Sequence, residues 1–135
     1  MIEITLRYTG ELHCEAVHGP SNAQLETDAP VDNHGRGETF SPTDLCATAL
    51  GTCMMTIMAI ASREHDVDLA GTTFTVRKHV TADLPRRIAR IEVEFDLPVS
   101  PTPHARAALE RAAHTCPVAL SLHTDIEQAV SFAWR

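Results

Sequence analysis

Between Leu45 and Ala61 the chain carries no charge, and this is the sharpest feature of its hydrophobic pattern. The polar groups in that run are three threonines, Thr48, Thr52 and Thr56, and the thiols of Cys46 and Cys53. Ser41, Pro42 and Asp44 ahead of it make a helix-start signal: a capping hydroxyl, a proline at a first helical position and an acid in the first turn. After Ala61 the chain turns charged at Arg63, Glu64, His65 and Asp66. One long helix is predicted, apolar nearly all round, which a sheet on one side and a second subunit on the other would cover.

The flanking segments alternate with period two. Residues 2–8 place Ile2, Ile4, Leu6 and Tyr8 on one face, which predicts a half-buried strand. Strands follow at 11–17 and 23–27, separated by turns at Gly10 and at Gly19 to Asn22. Residues 28–39 read as a loop that delivers Arg36 and Glu38 to the mouth of the long helix. Beyond the helix, 72–82 and 88–97 predict a hairpin with one wet face. Residues 104–114 predict a helix, Pro117 opens a shorter one with Cys116 at its cap, and 126–135 a closing strand. The order is α+β, with helices packed on antiparallel sheets, in a single domain spanning 1–135.

Charge removes several function classes. A net charge of −7 argues against a phosphate-binding surface, so no nucleic-acid partner is expected. The Leu45–Ala61 run sits at the lower limit for a bilayer span, and its Thr, Gly and Ala content favours a buried helix over a membrane segment. The opening residues alternate like a strand and contain no signal-peptide core, so a cytoplasmic location is expected. There, Cys14, Cys46, Cys53 and Cys116 would be mostly reduced, and a disulfide would be catalytic rather than structural.

The thiols are the candidate chemistry. A cysteine deep in a helix is ordinarily a small hydrophobe, and position alone gives Cys53 that reading. Cys116 at a helix N-terminus would feel the dipole and nearby N–H groups, which favour its thiolate. Cys46 and Cys53 share a helix face about 10 Å apart, too far to bond. Cys53 and Cys116 are the pair that tertiary structure can join, and Cys14 and Cys46 read as structural. Neither a CxxC nor an HExxH occurs, so no metal site is expected despite eight histidines. GxGxxG, P-loop and GxSxG motifs are also missing, and no cofactor is expected. Arg86, Arg87 and Arg90 read as a solvated basic turn.

SPTDLCATALGTCMMTIM, followed by ALERAAHTCPVALSLH, resembles the two signatures of the OsmC/Ohr superfamily. The form GRGETFSPTDL is closer to the general OsmC-like branch than to the organic hydroperoxide resistance branch. The resemblance implies an OsmC-like fold in an intertwined homodimer and a cysteine-dependent peroxidase in stress defence. Cys53 would be the peroxidatic cysteine and Cys116 the resolving one, with an external thiol or dithiol as reductant. Arg36 would stabilise the thiolate and Asp44 hold the arginine, with Glu38 a competing holder. Leu50, Met54 and Met58 would wall the site and favour an organic hydroperoxide over hydrogen peroxide. A rival reading is an OsmC-fold dimer that binds a small apolar ligand or senses redox state with little turnover.

Overall fold

A computed structural model describes all residues 1–135. The chain forms two compact units, Met1–Cys46 and Ala47–Arg135. The first is an antiparallel sheet of β1 (Ile4–Gly10), β2 (His13–His18) and β3 (Gln24–Asp28), with β2 in the middle. Arg7 lies opposite Glu15, which lies opposite Glu26, and His13 faces Asp28. Strands are where alternation predicts them, displaced one or two residues toward the C-terminus. The apolar face of β1 is open: Ile4, Leu6 and Tyr8 are 53%, 67% and 62% exposed. The half-buried strand expected there lacks its cover within one chain.

The loop after β3 is tied down by its own backbone. Gly35 N–H donates to Pro30 O (3.0 Å), Gly37 N–H to Ala29 O (3.2 Å), and residues 31–33 form one 3-10 turn. Helix α1 (Pro42–Ser62) then starts where predicted, and its first residues close the first unit. Ser41 Oγ accepts the Asp44 N–H (3.1 Å) while an Asp44 carboxylate oxygen accepts the Ser41 N–H (2.9 Å). This reciprocal capping box satisfies two N–H groups that a helix start otherwise leaves unpaired.

In the second unit α1 presents Ala47, Leu50, Gly51, Met54 and Met58 to the core. With the turn after it, Pro42–His65 is long and apolar enough to cross a membrane by length and composition, but Leu50, Met54 and Met58 are fully buried inside the protein. The core-facing surface is one side of the helix. On the other, Thr52, Thr56 and Ile60 are exposed, and the Thr52 and Thr56 hydroxyls bond back to carbonyls one turn earlier.

That core is closed by a sheet of β4 (Thr73–Val80), β5 (Ile88–Leu97) and β6 (Glu127–Trp134), with β5 central. Val76, Val93 and Val130 align across it, as do Phe74, Phe95 and Phe132, whose rings lie 5.3 and 5.4 Å apart in sequence. The outer face is an ion-pair lattice, Arg77–Glu94 (2.8 Å), His79–Glu92 (2.7 Å) and Arg90–Glu127 (2.7 Å). His79 and then Arg90 hold the Glu92 carboxyl down to about 2. The expectation of purely antiparallel sheets fails at one ladder: β6 runs parallel to β5. The reason is the connection. Two helices, α2 (Pro103–His114) and α3 (Pro117–Ser121), carry the chain back to the end from which β5 began.

Gly51 lets α1 lie close to this sheet. A Cβ there would stand 2.6 Å from Val76 Cγ2 and 3.4 Å from Phe74. Gly51→Ala gains helix propensity of about 1 kcal/mol, but the β-branched Val76 it would meet is stiff at χ1. Overpacking costs about 1–3 kcal/mol, so urea titration is expected to show a net loss of stability.

Candidate active site

Cys53 and Cys116 meet in the second unit. Cys53 projects from the middle of α1 and is half-buried, packed against the edge of the core. Cys116 is fully buried and stands at the N-cap of α3, where its Sγ accepts the Ala119 N–H at 3.3 Å. Local sequence builds this position. α2 ends at His114, Pro117 opens α3 with an orphan N–H already absent, and Cys116 just before it takes an extended conformation (φ −66°, ψ 148°). Each helix is anchored to β6: Gln128 Nε2 donates to Ala119 O (3.0 Å) and Trp134 Nε1 to Glu110 (2.8 Å). The two sulfurs are close enough for Cys53 to raise the Cys116 thiol, and no disulfide joins them.

Electrostatics at Cys116 differ from the expectation for a helix N-terminus. Burial pushes its thiol up, the Ala119 N–H pulls it down, and the Cys53 sulfur alongside raises it again, so the net shift is upward. Desolvation outweighs a cap offered by a helix of one and a half turns. Cys116 is therefore a protonated thiol beside a more accessible sulfur. The predicted wall is also rearranged. Leu50, Met54 and Met58 point into the core, and the apolar side chains left half-exposed in this unit include Ile57, Val118 and Leu122.

The charged candidates lie in the first unit. Arg36 forms ion pairs with Glu11 (3.3 Å) and Asp28 (3.8 Å). Asp28 is 2% exposed and saturated with partners: one carboxylate oxygen sits 2.6 Å from His13 Nδ1 and the other accepts the Glu38 N–H (3.1 Å). The His13 hydrogen bond, assisted by that N–H, holds the Asp28 carboxyl below its usual range, and Asp28 in turn raises His13. Asp44 caps α1 with its carboxylate, and Glu38 supplies its backbone N–H to Asp28. Asp28 and His13 are the residues that sequence reading missed. The signal was His-x-Glu on one strand and Glu-x-Asp on the next, which a hairpin places face to face. Cys14 is half-buried in β2 and Cys46 is exposed on α1.

A model of the family described as OsmC-like protein matches residues 35–131, a span that includes α1 and both cysteines. The chain belongs to the OsmC-like family. A solved structure from Psychrobacter arcticus 273-4, of a protein assigned to an osmotic stress induced and detoxification response, is 43% identical and superposes with a TM-score of 0.92 over 98% of this chain and 96% of that one. More distant structures share the OsmC-like fold. One is an organic hydroperoxide resistance protein from Elizabethkingia anophelis (17% identity, TM-score 0.78, 100% and 96% covered). Another is an organic hydroperoxide resistance protein OsmC from Legionella pneumophila (14%, 0.77, 98% and 96%). No protein of curated function matches the chain.

Proposed function

We propose that this OsmC-like protein is a thiol-dependent peroxidase for organic hydroperoxides, working as a homodimer in stress defence. The observation that carries the reading is the proximity of Cys53 to Cys116, near enough to perturb its thiol, one half-buried and one fully buried, both unbridged. The Cys53 thiolate attacks the terminal peroxide oxygen. The O–O bond breaks, the alkoxide leaves as an alcohol after taking a proton, and Cys53 becomes a sulfenic acid. Cys116 sulfur then displaces water from that sulfenic acid to give a disulfide. An external thiol or dithiol restores both cysteines by exchange and leaves as its own disulfide. Arg36 and Asp44 fill the roles of thiolate stabiliser and arginine holder in this proposal, and the Asp28 and Glu11 carboxylates beside Arg36 compete for the second role.

Two features support the dimer. The apolar face of β1 is uncovered in one chain, and so is the α1 side bearing Ile60. A second copy that buried both would leave a dry site around Cys53, which favours an alkyl-bearing peroxide over hydrogen peroxide. The cytoplasm, where thiols stay reduced, suits four unbridged cysteines.

The test exposes the reduced protein to cumene hydroperoxide and to hydrogen peroxide, counts thiols and maps disulfides by mass spectrometry. Two thiols are expected to disappear into a Cys53–Cys116 link, faster with the organic peroxide. Sulfenic acid capture must await a Cys116 thiolate whose formation burial disfavours. Below its raised pKa, the thiolate fraction grows about tenfold per pH unit, and disulfide closure should accelerate with rising pH accordingly. A link that forms once and is not reduced by dithiols would identify a sensor instead. A thiol count unchanged by either peroxide sinks the proposal.

A further inference from the structure

A second cluster, chemically unrelated to the thiols, sits on the polar face of the first sheet. His13, Glu15 and Glu26 each offer one ligand atom there, all within 4.8 Å of one another. We propose that these three side chains bind a first-row divalent cation, with Asp28 orienting the histidine.

The sheet register produces the cluster. His13 and Glu15 are two apart on β2, so they share a face, and Glu26 lies directly opposite Glu15 on β3. Like charges directly opposite destabilise a strand pair. A cation between Glu15 and Glu26 turns that repulsion into attraction, and the two carboxylates match its charge. His13 Nε2 is already 3.7 Å from a Glu26 carboxylate oxygen. Ligand atoms about 2.0–2.2 Å from a tetrahedral ion stand about 3.4 Å apart, so modest rotation of two surface glutamates brings all three side chains to bonding distance.

The histidine is pre-set for this role. Asp28 as a carboxylate can only accept, so His13 Nδ1 carries the hydrogen in their 2.6 Å contact. In the neutral ring Nε2 then holds the lone pair, directed to the side where Glu26 stands. A carboxylate behind a ligating histidine fixes its tautomer and ring orientation. Here that carboxylate is buried and pinned from its other oxygen by the Glu38 N–H, so the arrangement is rigid. Arg7 holds one Glu15 oxygen (2.8 Å), which leaves the second for the ion. One nitrogen and two carboxylate oxygens suit Zn²⁺, Co²⁺ or Mn²⁺ and leave positions for water or a small anionic ligand. Glu15 and Glu26 also line a cavity of ≈ 680 Å³ with Gln24, Thr39 and Phe40, which gives such a ligand room.

Co²⁺ is the discriminating probe, because thiolate ligation adds an intense charge-transfer band that nitrogen and oxygen ligands lack. Titration of the reduced native protein is expected to give one Co²⁺ per chain with weak d–d bands and no such band, and to raise the melting temperature. Glu26→Gln and Glu15→Gln, both surface changes, should each weaken binding at least about tenfold, as should Asp28→Asn through the histidine. A thiolate band, affinity unchanged in both glutamine variants, or no binding at millimolar Co²⁺ would each overturn the proposal. Cation binding by the Glu15→Gln and Glu26→Gln variants is read without peroxide, so its outcome is separate from that of the peroxidase proposal.

Discussion

Cys53→Ser is expected to abolish peroxide-driven thiol loss, with turnover of cumene hydroperoxide falling at least about a thousandfold, the scale seen when a covalent nucleophile is removed. Serine is nearly the same size as cysteine and the position is half-buried, so the fold should survive. Cys116→Ser should behave differently. Its hydroxyl replaces a sulfur that accepts the Ala119 N–H, and serine is a good helix cap, so α3 keeps its start. The first peroxide should still be reduced, within a factor of about two or three of the parent rate, and leave a Cys53 sulfenic acid that dimedone traps. Recycling through a dithiol should then stop. Stopped-flow peroxide consumption with mass spectrometry of the trapped adduct checks both variants. Equal loss in the two would mean that Cys116 supports the first step and not only the second.

The second large effect is expected in the loop that carries Arg36. A Cβ on Gly35 would overlap the carbonyl oxygen and carbon of Ala29, which are backbone atoms with no rotamer to change. The same carbonyl accepts the Gly37 N–H, so moving it breaks the hydrogen bond that closes the loop. Gly35→Ala is therefore expected to cost on the order of 3 kcal/mol or more, above the usual range for a surface loop. Gly10→Ala is the control. Gly10 has a positive φ of 96° but open space around its Cβ position, so it should lose only the backbone preference, about 1 kcal/mol. Chemical denaturation of both variants reads the difference. Hydrogen exchange at residues 29–38 should show whether the damage stays in the loop.

Legibility in the sequence followed the range of the forces involved. The start of α1 was readable because Ser41, Pro42 and Asp44 act on their own backbone, and the structure adds only the reciprocal bonding of Ser41 and Asp44. The position of Cys116 was readable for the same reason, through Pro117. Its electrostatics were not, because burial under the fold reverses what the helix end alone would do. The parallel pairing of β6 was hidden because the crossover, not the strand's own residues, sets its direction. Asp28 opened what read as a loop, and nothing local marks a carboxylate as buried. Arg36 was found as a cation near α1, whereas its Asp28 and Glu11 contacts depend on the β2–β3 register and the turn at Glu11. The glycines around Arg36 looked ordinary in sequence. Only the path of the loop shows that residue 35 has no room for a side chain.

The parallel ladder between β5 and β6 also sets an order of events in folding. Val80 meets Ile88 across the short loop 81–87, but Arg90 meets Glu127 only after the whole helical crossover has closed. Closing the larger loop costs about 1–2 kcal/mol more in chain entropy, so β4–β5 should form first and β6 dock late. Cys116 lies inside that crossover, while Cys53 sits on the helix the hairpin packs against. A newly made chain is thus expected to pass through a stage in which Cys53 is present without its neighbour. Oxidant encountered at that stage can carry its sulfur on to sulfinic acid, with no thiol at hand to intercept the sulfenic state. Slow folding and irreversible oxidation damage would then rise together, and refolding in the presence of peroxide would expose the link.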